Sequence, residues 1–542
     1  MDKPFAITLD VGSSLANHTG SWRTRRPVYV DRLPPCNATC PAGENIQGWL
    51  FHAESGDYET AWRKLTEENP LPAIMGRVCY HPCEGACNRG RLDESVGINA
   101  VERFLGDEAL KLGWRFDAPA AASGKRVLVV GSGPAGLAAA YHLVRSGHAV
   151  EIREAAAQAG GMMRYGIPKY RLPRDVLDAE IARIVELGVK LRLNQPVEEL
   201  EPLLGEFDAV FLGVGAHLAK RAYIPAGDAS RILDAVSVLH GMEGSTDELK
   251  PLLGRHVVVY GGGNTAIDVA RTAKRLGAEE SIVVYRRSRE KMPAHAFEVE
   301  EALQEGVQMK WLATVKEAGA GEVMVERMVL DEKGFPQPTG EFERIEADSL
   351  VLALGQETDL SLLQKLAGLN IRDGLVEVDA GMMTGHRGVF AGGDMVGNER
   401  TVTAAIGHGK KAARHIDAWL RSEPRVPAPK HALATFENLN TWYYADAPKT
   451  MRPMLDIVRR QSTFDEVLGG LSEENARFEA RRCLSCGNCF ECDNCYGVCP
   501  DNAVIKLGPG KRFQFNYDYC KGCGLCVAEC PCGAIDTMAE DI

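Results

Sequence analysis

The sequence lacks the features of membrane, secreted and nucleic-acid-binding proteins. No run of 18 apolar residues occurs in its 542 residues, so a transmembrane helix is not expected. The start of the chain does not show the basic and then apolar pattern of a secretory signal. Basic residues form no stripe, and the formal net charge of −12 disfavours nucleic acid as a partner. These absences predict a cytoplasmic protein without a membrane span.

Cysteine is missing from the whole middle of the chain. Five cysteines lie between Cys36 and Cys87, none between Cys87 and Cys483, and eleven from Cys483 to Cys532. A disulfide framework would not leave the middle empty, and a reducing cytoplasm does not favour disulfides. Clustered thiols in such a chain therefore predict metal centres near both ends.

A strand at 127–130 runs into a glycine turn and a helix at 137–145. Gly131 permits the tight turn, Gly133 lets the backbone approach a pyrophosphate, and Gly136 lets the helix pack closely on the strand. A second strand at 149–152 leads to Glu154, where a carboxylate accepts hydrogen bonds from an adenosine ribose. A glycine-rich turn alone is weak evidence, but strand, turn, helix, strand and acid follow here in the order of a βαβ dinucleotide site. The predicted contact residues are Gly131, Gly133, Pro134, Ala135, Gly136 and Glu154.

A second glycine turn follows another apolar strand at 257–260. Its predicted contact residues are Gly261, Gly263, Asn264 and Thr265. The next strand, at 281–285, ends in Arg286 and Arg287 instead of an acid. Guanidinium groups bind a ribose 2′-phosphate, which a carboxylate at this place would repel. The arginine pair favours NADPH over NADH; the alternative is an ordinary surface pair.

Further segments are predicted to contact the first nucleotide. They are an irregular loop at 160–173, strands at 208–215 and 388–394 that end in glycine-rich turns, and a helix at 401–417. We expect contacts from Gly161, Met162, Arg164, Gly166, Arg171, Gly215, Gly393, Asp394, Thr403 and Ala404. A strand at 348–355 is predicted to return the chain to the first nucleotide fold.

Near the N-terminus, apolar residues recur at helical spacing from Glu44 to about residue 110. Next to this pattern and within it lie Cys36-x3-Cys40-Pro41 and Cys79-x3-Cys83-x3-Cys87. Zinc is the alternative, but zinc sites usually use two-residue spacings and often His, so these cysteines favour an iron–sulfur centre. A small basic cluster is predicted to lie on a solvated surface without a function: Arg23, Arg25 and Arg26.

The strongest signal is a cysteine run that occurs twice near the end of the chain. The two copies, each followed by proline, are Cys489-x2-Cys492-x2-Cys495-x3-Cys499 and Cys520-x2-Cys523-x2-Cys526-x3-Cys530. In this arrangement three thiolates of each run bind one [4Fe–4S] cluster, and the fourth binds the other cluster. The repeat predicts a ferredoxin-like domain with two clusters.

Several motifs together resemble the small (beta) subunit of NADPH-dependent glutamate synthase. They are Gly76-Arg-Val-Cys79, Cys83-Glu-Gly-Ala-Cys87, Gly161-Met-Met-Arg164-Tyr-Gly166-Ile-Pro168, Arg171-Leu-Pro173, Gly261-Gly-Gly263-Asn264-Thr-Ala266 and Tyr285-Arg-Arg-Ser-Arg289-Glu-Lys-Met-Pro293. The same module occurs in electron-bifurcating NADH-dependent ferredoxin:NADP oxidoreductase and in dihydropyrimidine dehydrogenase. The resemblance covers residues 36–417. It implies FAD at the first fold, with Asp394 near its ribityl or phosphate part, NADPH at the inserted second fold, and iron–sulfur clusters in the N-terminal domain.

The resemblance also implies cluster ligands, and the chain departs from the family here. One N-terminal [4Fe–4S] cluster would use Cys40, Cys79, Cys83 and the helix residue Glu102. The other normally takes an Arg-Cys-x2-Cys pair ahead of Cys36, where this chain has Val28 and Asp31. The same pattern occurs at Arg482-Cys483-x2-Cys486, surplus to the ferredoxin runs. A four-cysteine site is therefore predicted, in one chain or across a dimer, from Cys36, Cys87, Cys483 and Cys486; free thiols or a zinc ion at the surplus pair are the alternative.

The predicted fold class is α/β, with two nested Rossmann-like domains, an α-helical iron–sulfur domain before them and a ferredoxin-like 2[4Fe–4S] domain after them. The expected boundaries are 1–120 for the N-terminal domain, 121–250 and 346–420 for the two parts of the FAD domain, and 251–345 for the inserted NAD(P) domain. Residues 421–482 are expected to be a linker and helical segment, and 483–542 the ferredoxin domain.

The function predicted from these features is an electron-transfer flavoprotein subunit that links NAD(P)H, FAD and three or four [4Fe–4S] clusters. Because no substrate domain is evident, we expect a hetero-oligomer with another redox subunit. A 2-oxoacid:ferredoxin oxidoreductase is favoured as that partner, and a glutamate synthase large subunit is the alternative. A non-catalytic assembly subunit is the rival class. No catalytic acid or base is predicted, since hydride transfer to a flavin requires alignment more than proton transfer.

Overall fold

The computed structural model describes residues 18–220, 224–225, 231–244, 246–397, 399–423 and 429–540. No helix within these ranges is both long enough and apolar enough to cross a membrane. The proline-rich linker predicted at 423–429 lies outside them except for its first and last residues. The described chain forms a helical N-terminal part, two nested α/β parts and a cysteine-rich C-terminal part.

The N-terminal part is helical, as predicted, and is preceded by one strand. Its elements are β1 (Arg25–Tyr29), α1 (Pro35–Thr39), α2 (Ile46–Ser55), α3 (Tyr58–Thr66), α4 (Pro72–Val78), α5 (Pro82–Gly85) and α6 (Ile98–Lys111). The side chains of Asn45 and Asp57 accept backbone hydrogen bonds at the N-termini of α2 and α3, which fixes where both helices begin. Helices α2, α3 and α6 bury Trp49, Leu65 and Val101 in one apolar core.

Two α/β parts follow in a nested order. The first contains β2 (Arg126–Val130), α7 (Pro134–Arg145), β3 (Ala149–Arg153), α8 (Met162–Tyr165), α9 (Arg174–Val185), β4 (Lys190–Arg192), β5 (Ala209–Leu212) and β6 (Leu218–Ala219). The second contains β7 (Arg231–Asp234), α10 (Ala235–Gly241), α11 (Thr246–Leu253), β8 (His256–Tyr260), α12 (Asn264–Arg275), β9 (Glu280–Tyr285), α13 (Ala296–Gln304), β10 (Gln308–Trp311), β11 (Ala313–Gly319), β12 (Glu322–Leu330), β13 (Pro336–Glu346) and β14 (Ser349–Leu352). The chain then returns to the first part with β15 (Gln356–Glu357), β16 (Ile371–Arg372), β17 (Leu375–Val376), β18 (Val389–Ala391) and α14 (Val402–Arg421).

Each α/β part is built on a parallel sheet of five strands. The strand order is β18-β5-β2-β3-β4 in the first sheet and β10-β9-β8-β14-β7 in the second. Helices α7 and α14 pack on the first sheet, and α12 packs on the second. A separate antiparallel sheet, β11-β12-β13, covers the other face of the second sheet. The nested Rossmann-like folds are thereby confirmed.

The second fold takes in more of the chain than its predicted boundaries, 251–345. Strand β14, predicted to return the chain to the first fold, pairs instead with β7 and β8 of the second sheet. Strand β7 and helix α10 also belong to the second fold, although they precede residue 251. Strands buried on both faces have similar apolar sequences. The pattern therefore reveals that a strand is present but not which sheet accepts it.

The C-terminal part closes back on the N-terminus. Its elements are α15 (Ile457–Ser462), α16 (Glu473–Arg481), α17 (Asn494–Gly497), β19 (Val504–Ile505), β20 (Gln514–Phe515), α18 (Leu525–Ala528) and β21 (Ile535–Ala539). Strand β21 pairs antiparallel with β1 over its whole length. Arg23, predicted to be solvated, donates hydrogen bonds to the carbonyl oxygens of Tyr517 (2.5 Å) and Cys520 (2.9 Å). That prediction was wrong for Arg23, because the surface covering it comes from the far end of the chain.

Residues 452–467 form a strap that ties two parts of the molecule together. Glu466 pairs with Arg77 (2.8 Å) and Arg103 (2.9 Å) of the helical part. Arg460 pairs with Glu305 of the second α/β part (3.1 Å), and both side chains are buried. The predicted segment 421–482 therefore contains more than a linker: its strap contacts the helical part and the second nucleotide fold at the same time.

Candidate active site and iron–sulfur centres

One cavity of about 1260 Å³ lies where the two α/β parts face each other. This exceeds the roughly 300–1,000 Å³ of common small-molecule sites. The predicted residues that line it are Gly131, Gly133, Pro134, Ala135, Glu154, Gly161, Met162, Gly166, Arg171, Gly215, Gly263, Asn264, Thr265, Gly393 and Asp394. The cavity thus brings both predicted glycine turns to one space.

The first glycine turn has the close contacts that the sequence predicted. Gly131 has a φ of 97°, and a Cβ atom there would lie 2.5 Å from the carbonyl oxygen of Gly213. Gly136 does not line the cavity; a Cβ on it would lie 2.0 Å from the carbonyl oxygen of Gly131. Gly136 therefore serves the close packing of α7 on the turn. Gly133 immediately precedes α7, so the positive end of that helix faces the cavity.

Two of the carboxylates that line the cavity, Glu154 and Asp394, follow strands of the first sheet. The Glu154 carboxylate accepts hydrogen bonds from the backbone N–H (2.8 Å) and hydroxyl (2.6 Å) of Ser132 and from the N–H of Ala156 (2.8 Å). These bonds fix its orientation at the end of β3. Burial raises the pKa of Asp394, and the charge of Arg400 acts in the opposite direction.

Helix α14 begins at the wall of the cavity, where the Thr401 hydroxyl accepts a hydrogen bond from the N–H of Ala404 (3.1 Å). Thr401 and Ala405 line the cavity. The predicted residues Thr403 and Ala404 do not, because they lie on other faces of the helix. The Thr403 hydroxyl instead donates to the Cys79 sulfur (3.2 Å), so the N-terminus of α14 touches the cavity and a cysteine site together.

The second glycine turn is also tightly packed. A Cβ on Gly261 would lie 2.2 Å from the carbonyl oxygen of Ala353, while Asn264 begins α12 and accepts a hydrogen bond from the N–H of His295 (3.0 Å). Arg286 and Arg287 follow β9 outside the lining of the cavity. Arg286 is exposed, and Arg287 Nε is buried without a hydrogen-bond partner.

The two predicted arginines of the loop at 160–173 have different roles. Arg171 lines the cavity and pairs with Asp268 (2.8 Å) and Glu298 (2.7 Å), which connects the loop to the second α/β part. Arg164 does not line the cavity; its buried guanidinium binds Asp178 within the first part. Arg164 therefore holds the loop in shape, and Arg171 joins the two parts.

Sequence reasoning missed an aromatic pair between the helical part and the second α/β part. The rings of Tyr80 and His295 stack with centroids 3.7 Å apart, and both residues line the cavity. Val78 lines it as well, so Cys79, which lies between Val78 and Tyr80 in the chain, adjoins the wall. The one signal in the sequence that could have indicated Tyr80 was its position next to the motif cysteine Cys79.

The helical part brings together the four residues predicted for one N-terminal cluster. Burial and the charge of Glu102 raise the pKa of Cys79 to about 12. Burial and the charges of Cys79 and Cys40 raise the pKa of Cys83. Glu102 is itself buried and accepts a hydrogen bond from the amide of Asn69 (2.9 Å). Three thiols and one carboxylate thus form a buried donor set.

The other four-cysteine set predicted around the N-terminal domain also comes together. One small cavity is lined by Cys36, Cys87, Cys483 and Cys486. Burial raises the pKa of Cys486 to about 11, although a hydrogen bond from the Asn88 amide (3.5 Å) works against the rise. All four residues belong to the same chain.

The C-terminal cysteines form the two crossed sets that their spacing predicted. A cavity is lined by Cys499 together with Cys520, Cys523 and Cys526 of the second run. Cys489, Cys492 and Cys530 are the charged neighbours that, with burial, raise the pKa of Cys495 to about 11. Among the residues that the structure describes, no three His, Cys, Asp or Glu side chains converge closely enough for a single metal ion. The thiols surround cavities instead.

Family models match three consecutive regions of the chain. The model described as pyridine nucleotide-disulphide oxidoreductase matches residues 125–409. The model described as dihydropyrimidine dehydrogenase domain II, 4Fe-4S cluster, matches 24–114, and the 4Fe-4S dicluster domain matches 488–534. The predicted fold class, with iron–sulfur domains before and after the nucleotide-binding folds, is therefore confirmed.

Curated relatives match over most of the chain. The NADP(+)-dependent formate dehydrogenase subunit beta of Moorella thermoacetica is 37% identical over 500 residues, which cover 83% of this chain and 70% of the relative. The NADPH-Fe(3+) oxidoreductase subunit beta of Geobacter sulfurreducens is 34% identical, with 85% and 77% covered. The glutamate synthase [NADPH] small chain of Escherichia coli is 33% identical, with 71% and 89% covered. The chain therefore belongs to the pyridine nucleotide-disulphide oxidoreductase family, as an FAD- and NAD(P)-dependent oxidoreductase with [4Fe–4S] domains at both ends.

Proposed function

We propose that this chain is the subunit of a larger enzyme that moves electrons between NADPH and iron–sulfur clusters through FAD. The observation that carries the proposal is the cavity of about 1260 Å³, which both glycine turns line and which Cys79 adjoins. A nicotinamide, a flavin and a cluster site would then occupy consecutive places. When bound, the flavin supplies the conversion between a transferred hydride and single electrons.

The residues around the first turn fit FAD. The backbone of Gly131 and Gly133 and the N-terminus of α7 would bind the pyrophosphate, because N–H groups and the helix dipole favour negative charge there. Glu154, already oriented by Ser132, would accept hydrogen bonds from the adenosine ribose. Asp394 and the N-terminus of α14 would hold the flavin end of the cofactor.

The residues around the second turn fit NADPH. Gly263 and the N-terminus of α12 would bind its pyrophosphate, with Asn264 and Thr265 beside it. Arg287 carries a buried N–H without a partner, and Arg286 is exposed next to it. A 2′-phosphate would satisfy these donors, whereas the plain hydroxyl of NADH would leave them without an anion.

The remaining residues of the cavity would align the two rings and exclude water. Arg171, paired with Asp268 and Glu298, holds the loop of the first part against the second part. The stacked Tyr80 and His295 close the side toward the cysteine site. Alignment of donor and acceptor is the main requirement of a hydride transfer. For this reason no side chain is assigned as an acid or base.

We further propose that the electrons pass to or from a separate catalytic subunit in the cytoplasm. The clustering of the sixteen cysteines at cluster-ligand spacings near both ends of the chain suits a reducing compartment. The C-terminal clusters favour a partner of the 2-oxoacid:ferredoxin oxidoreductase kind. A glutamate synthase large subunit is the second candidate, because the matching small chain of Escherichia coli is covered over 89% of its length. Co-purification of the native complex distinguishes the two.

Stopped-flow reduction of the bound flavin tests the proposal. NADPH should bleach the visible flavin absorbance of the holoprotein rapidly, and NADH should do so only at higher concentration. A control with FAD removed should show no change in this absorbance. If neither nucleotide reduces the flavin, the chain is a cofactor-bearing assembly subunit and the proposed function is incorrect.

A further inference from the structure

Four cysteines from opposite ends of the chain line one cavity. Cys36 lies on α1, Cys87 follows α5, and Cys483 and Cys486 follow α16. Their surroundings are apolar on one side, where Leu50 and other residues of the helical core approach. No disulfide joins any of the four thiols.

The segment that carries Cys483 and Cys486 is an integral part of the helical core. Leu471, Ala476 and Ala480 of the α16 region are buried in the same cluster as the apolar residues of α2 and α6. Contact with this core holds the C-terminal pair in place without any cluster. Hydrophobic packing therefore places the C-terminal pair of cysteines next to Cys36 and Cys87.

Buried charges fix the same segment in position. The Arg482 guanidinium, 2% exposed, pairs with Glu479 (3.0 Å) and lies 3.4 Å from Asp93 of the helical part. It also donates to the carbonyl oxygens of Ser95 (3.0 Å) and Glu94 (2.6 Å). A guanidinium with several hydrogen bonds positions a chain accurately because these bonds are directional. The residue next to Cys483 is thus anchored on the N-terminal domain.

We propose that Cys36, Cys87, Cys483 and Cys486 bind a [4Fe–4S] cluster that is completed only when both ends of one chain meet. Four cysteine thiolates are the usual ligand set of such a cluster. A tetrahedral zinc ion also accepts four thiolates, but at a single point with zinc–sulfur distances of about 2.3 Å. These thiols surround a cavity and do not converge on one point, which suits a cluster of several atoms.

The proposed site lies between the other cysteine sites along the chain. Cys83 of the Glu102-containing set and Cys87 are four residues apart, so their Cα atoms are separated by at most about 14 Å. Cys486 and Cys489 of the ferredoxin set are three residues apart, which limits their Cα separation to about 11 Å. Since Cys79 adjoins the large cavity, the sites form an unbroken series from that cavity to the ferredoxin domain. Without the proposed cluster, the series would have a gap in the middle.

Iron analysis of the reconstituted full-length protein tests the proposal. Four clusters require about 16 iron atoms per chain, and a Cys483→Ser/Cys486→Ser variant should retain about 12. The matched control is Cys532→Ala, because Cys532 is buried beside Cys530 but belongs to none of the four ligand sets. This control should keep the full iron content. An unchanged iron content in the double variant, or zinc in the wild-type site, would overturn the proposal.

A second measurement leaves the ligands intact, in case the double variant does not fold. The Asn88 amide donates to the Cys486 sulfur (3.5 Å), and hydrogen bonds to sulfur raise a cluster's reduction potential. Asn88→Ala should therefore lower the midpoint potential of one cluster without loss of iron. Gln47→Ala is the control, since Gln47 lines the same cavity but donates to the Ser485 hydroxyl (3.5 Å). If redox titration followed by EPR finds no cluster shifted in Asn88→Ala, the site does not hold a cluster.

Discussion

Replacement of Glu305 by Gln should loosen the contact between the strap and the second nucleotide fold. The Glu305 carboxylate is fully buried and accepts hydrogen bonds from Arg271, Arg275 and Arg460. Burial alone would raise its pKa, but the bonds and charges of Arg271 and Arg275 lower it from 4.5 to about 2. At 1.36 kcal/mol for each pH unit, this difference corresponds to about 3 kcal/mol of stability at neutral pH.

A loss of stability of similar size is expected from the unpaired charges that the substitution of Glu305 would leave behind. Glu305→Gln would leave three guanidinium groups near one another, and removal of one partner from a buried ion pair costs about 3–5 kcal/mol. Arg460→Met removes the hydrogen bonds that Arg460 donates to Glu305, to Gln304 and to the Glu301 carbonyl oxygen, but it leaves no excess charge buried. Arg271 and Arg275 would still neutralise Glu305 in that variant. Glu305→Gln should therefore be the more harmful change.

Hydrogen exchange in the holoprotein measures both effects without requiring reversible unfolding. Amides of α13 and α15 should exchange roughly a hundredfold faster in Glu305→Gln, which is the kinetic equivalent of about 3 kcal/mol. Glu300→Gln is the matched control, because Glu300 lies on α13, which Glu305 directly follows, but forms an exposed pair with Arg289 (3.2 Å). If Glu305→Gln exchanges no faster than this control, the reasoning about the buried charges is incorrect.

The pH dependence follows from the direction of the pKa shift. A carboxylate with a lowered pKa stabilises the fold above its unfolded value, and this contribution disappears as the pH falls from about 4.5 toward about 2. The difference between the wild type and Glu305→Gln should therefore be constant from about pH 5 to 8. A difference that changes within this range would point to another titrating group.

Three further substitutions test other parts of the site. Arg286→Ala/Arg287→Ala should raise the KM for NADPH by about a hundredfold or more and leave that for NADH unchanged, because charge-assisted bonds contribute about 1.5–3 kcal/mol each; a wild type that prefers NADH would contradict this. Glu102→Ala should alter the EPR signal and potential of one cluster, and an unaltered signal would exclude Glu102 as a ligand. Gly136→Ala should abolish retention of FAD, since its Cβ would lie 2.0 Å from the Gly131 carbonyl oxygen. Gly205→Ala, which meets no atom within 4 Å, should retain FAD.

Much of the site could be predicted because its chemistry depends on short spacings. The runs Cys489–Cys499 and Cys520–Cys530 together specify two clusters, and Gly131 is required by a turn that a side chain would obstruct. The prediction that Cys36 and Cys483 share a site came from the absence of two expected cysteines. This absence is visible only in comparison with the family and not in any short pattern of the chain. These signals can be read from short spacings or from the number of cysteines, so they are usable without knowledge of the tertiary structure.

Other features depend on contacts between distant segments and could not be predicted. The segment Ser349–Leu352 has an apolar sequence that would suit either sheet, and only the neighbouring strands decide its place. Arg460 looks like a surface residue in sequence, yet it is buried, where its charge is paired with Glu305 3.1 Å away. Thr403 and Ala404 were predicted to face the cofactor because they lie at the N-terminal end of a helix. The rotation of the helix about its axis, which the sequence did not indicate, directs Thr401 and Ala405 to the cavity instead.

The pairing of β1 with β21 has a consequence for biosynthesis. Arg25 and Ala539 pair with each other in this ladder, although they are separated by almost the entire chain. At about 5–20 residues per second, a ribosome needs roughly half a minute to two minutes to make the intervening polypeptide. During that time β1 has no neighbouring strand, and Cys36 and Cys87 have no C-terminal thiols beside them. Assembly of the proposed four-cysteine cluster must therefore follow the synthesis of Cys483 and Cys486, and nascent chains depend on the cell to keep Cys36 and Cys87 reduced until then.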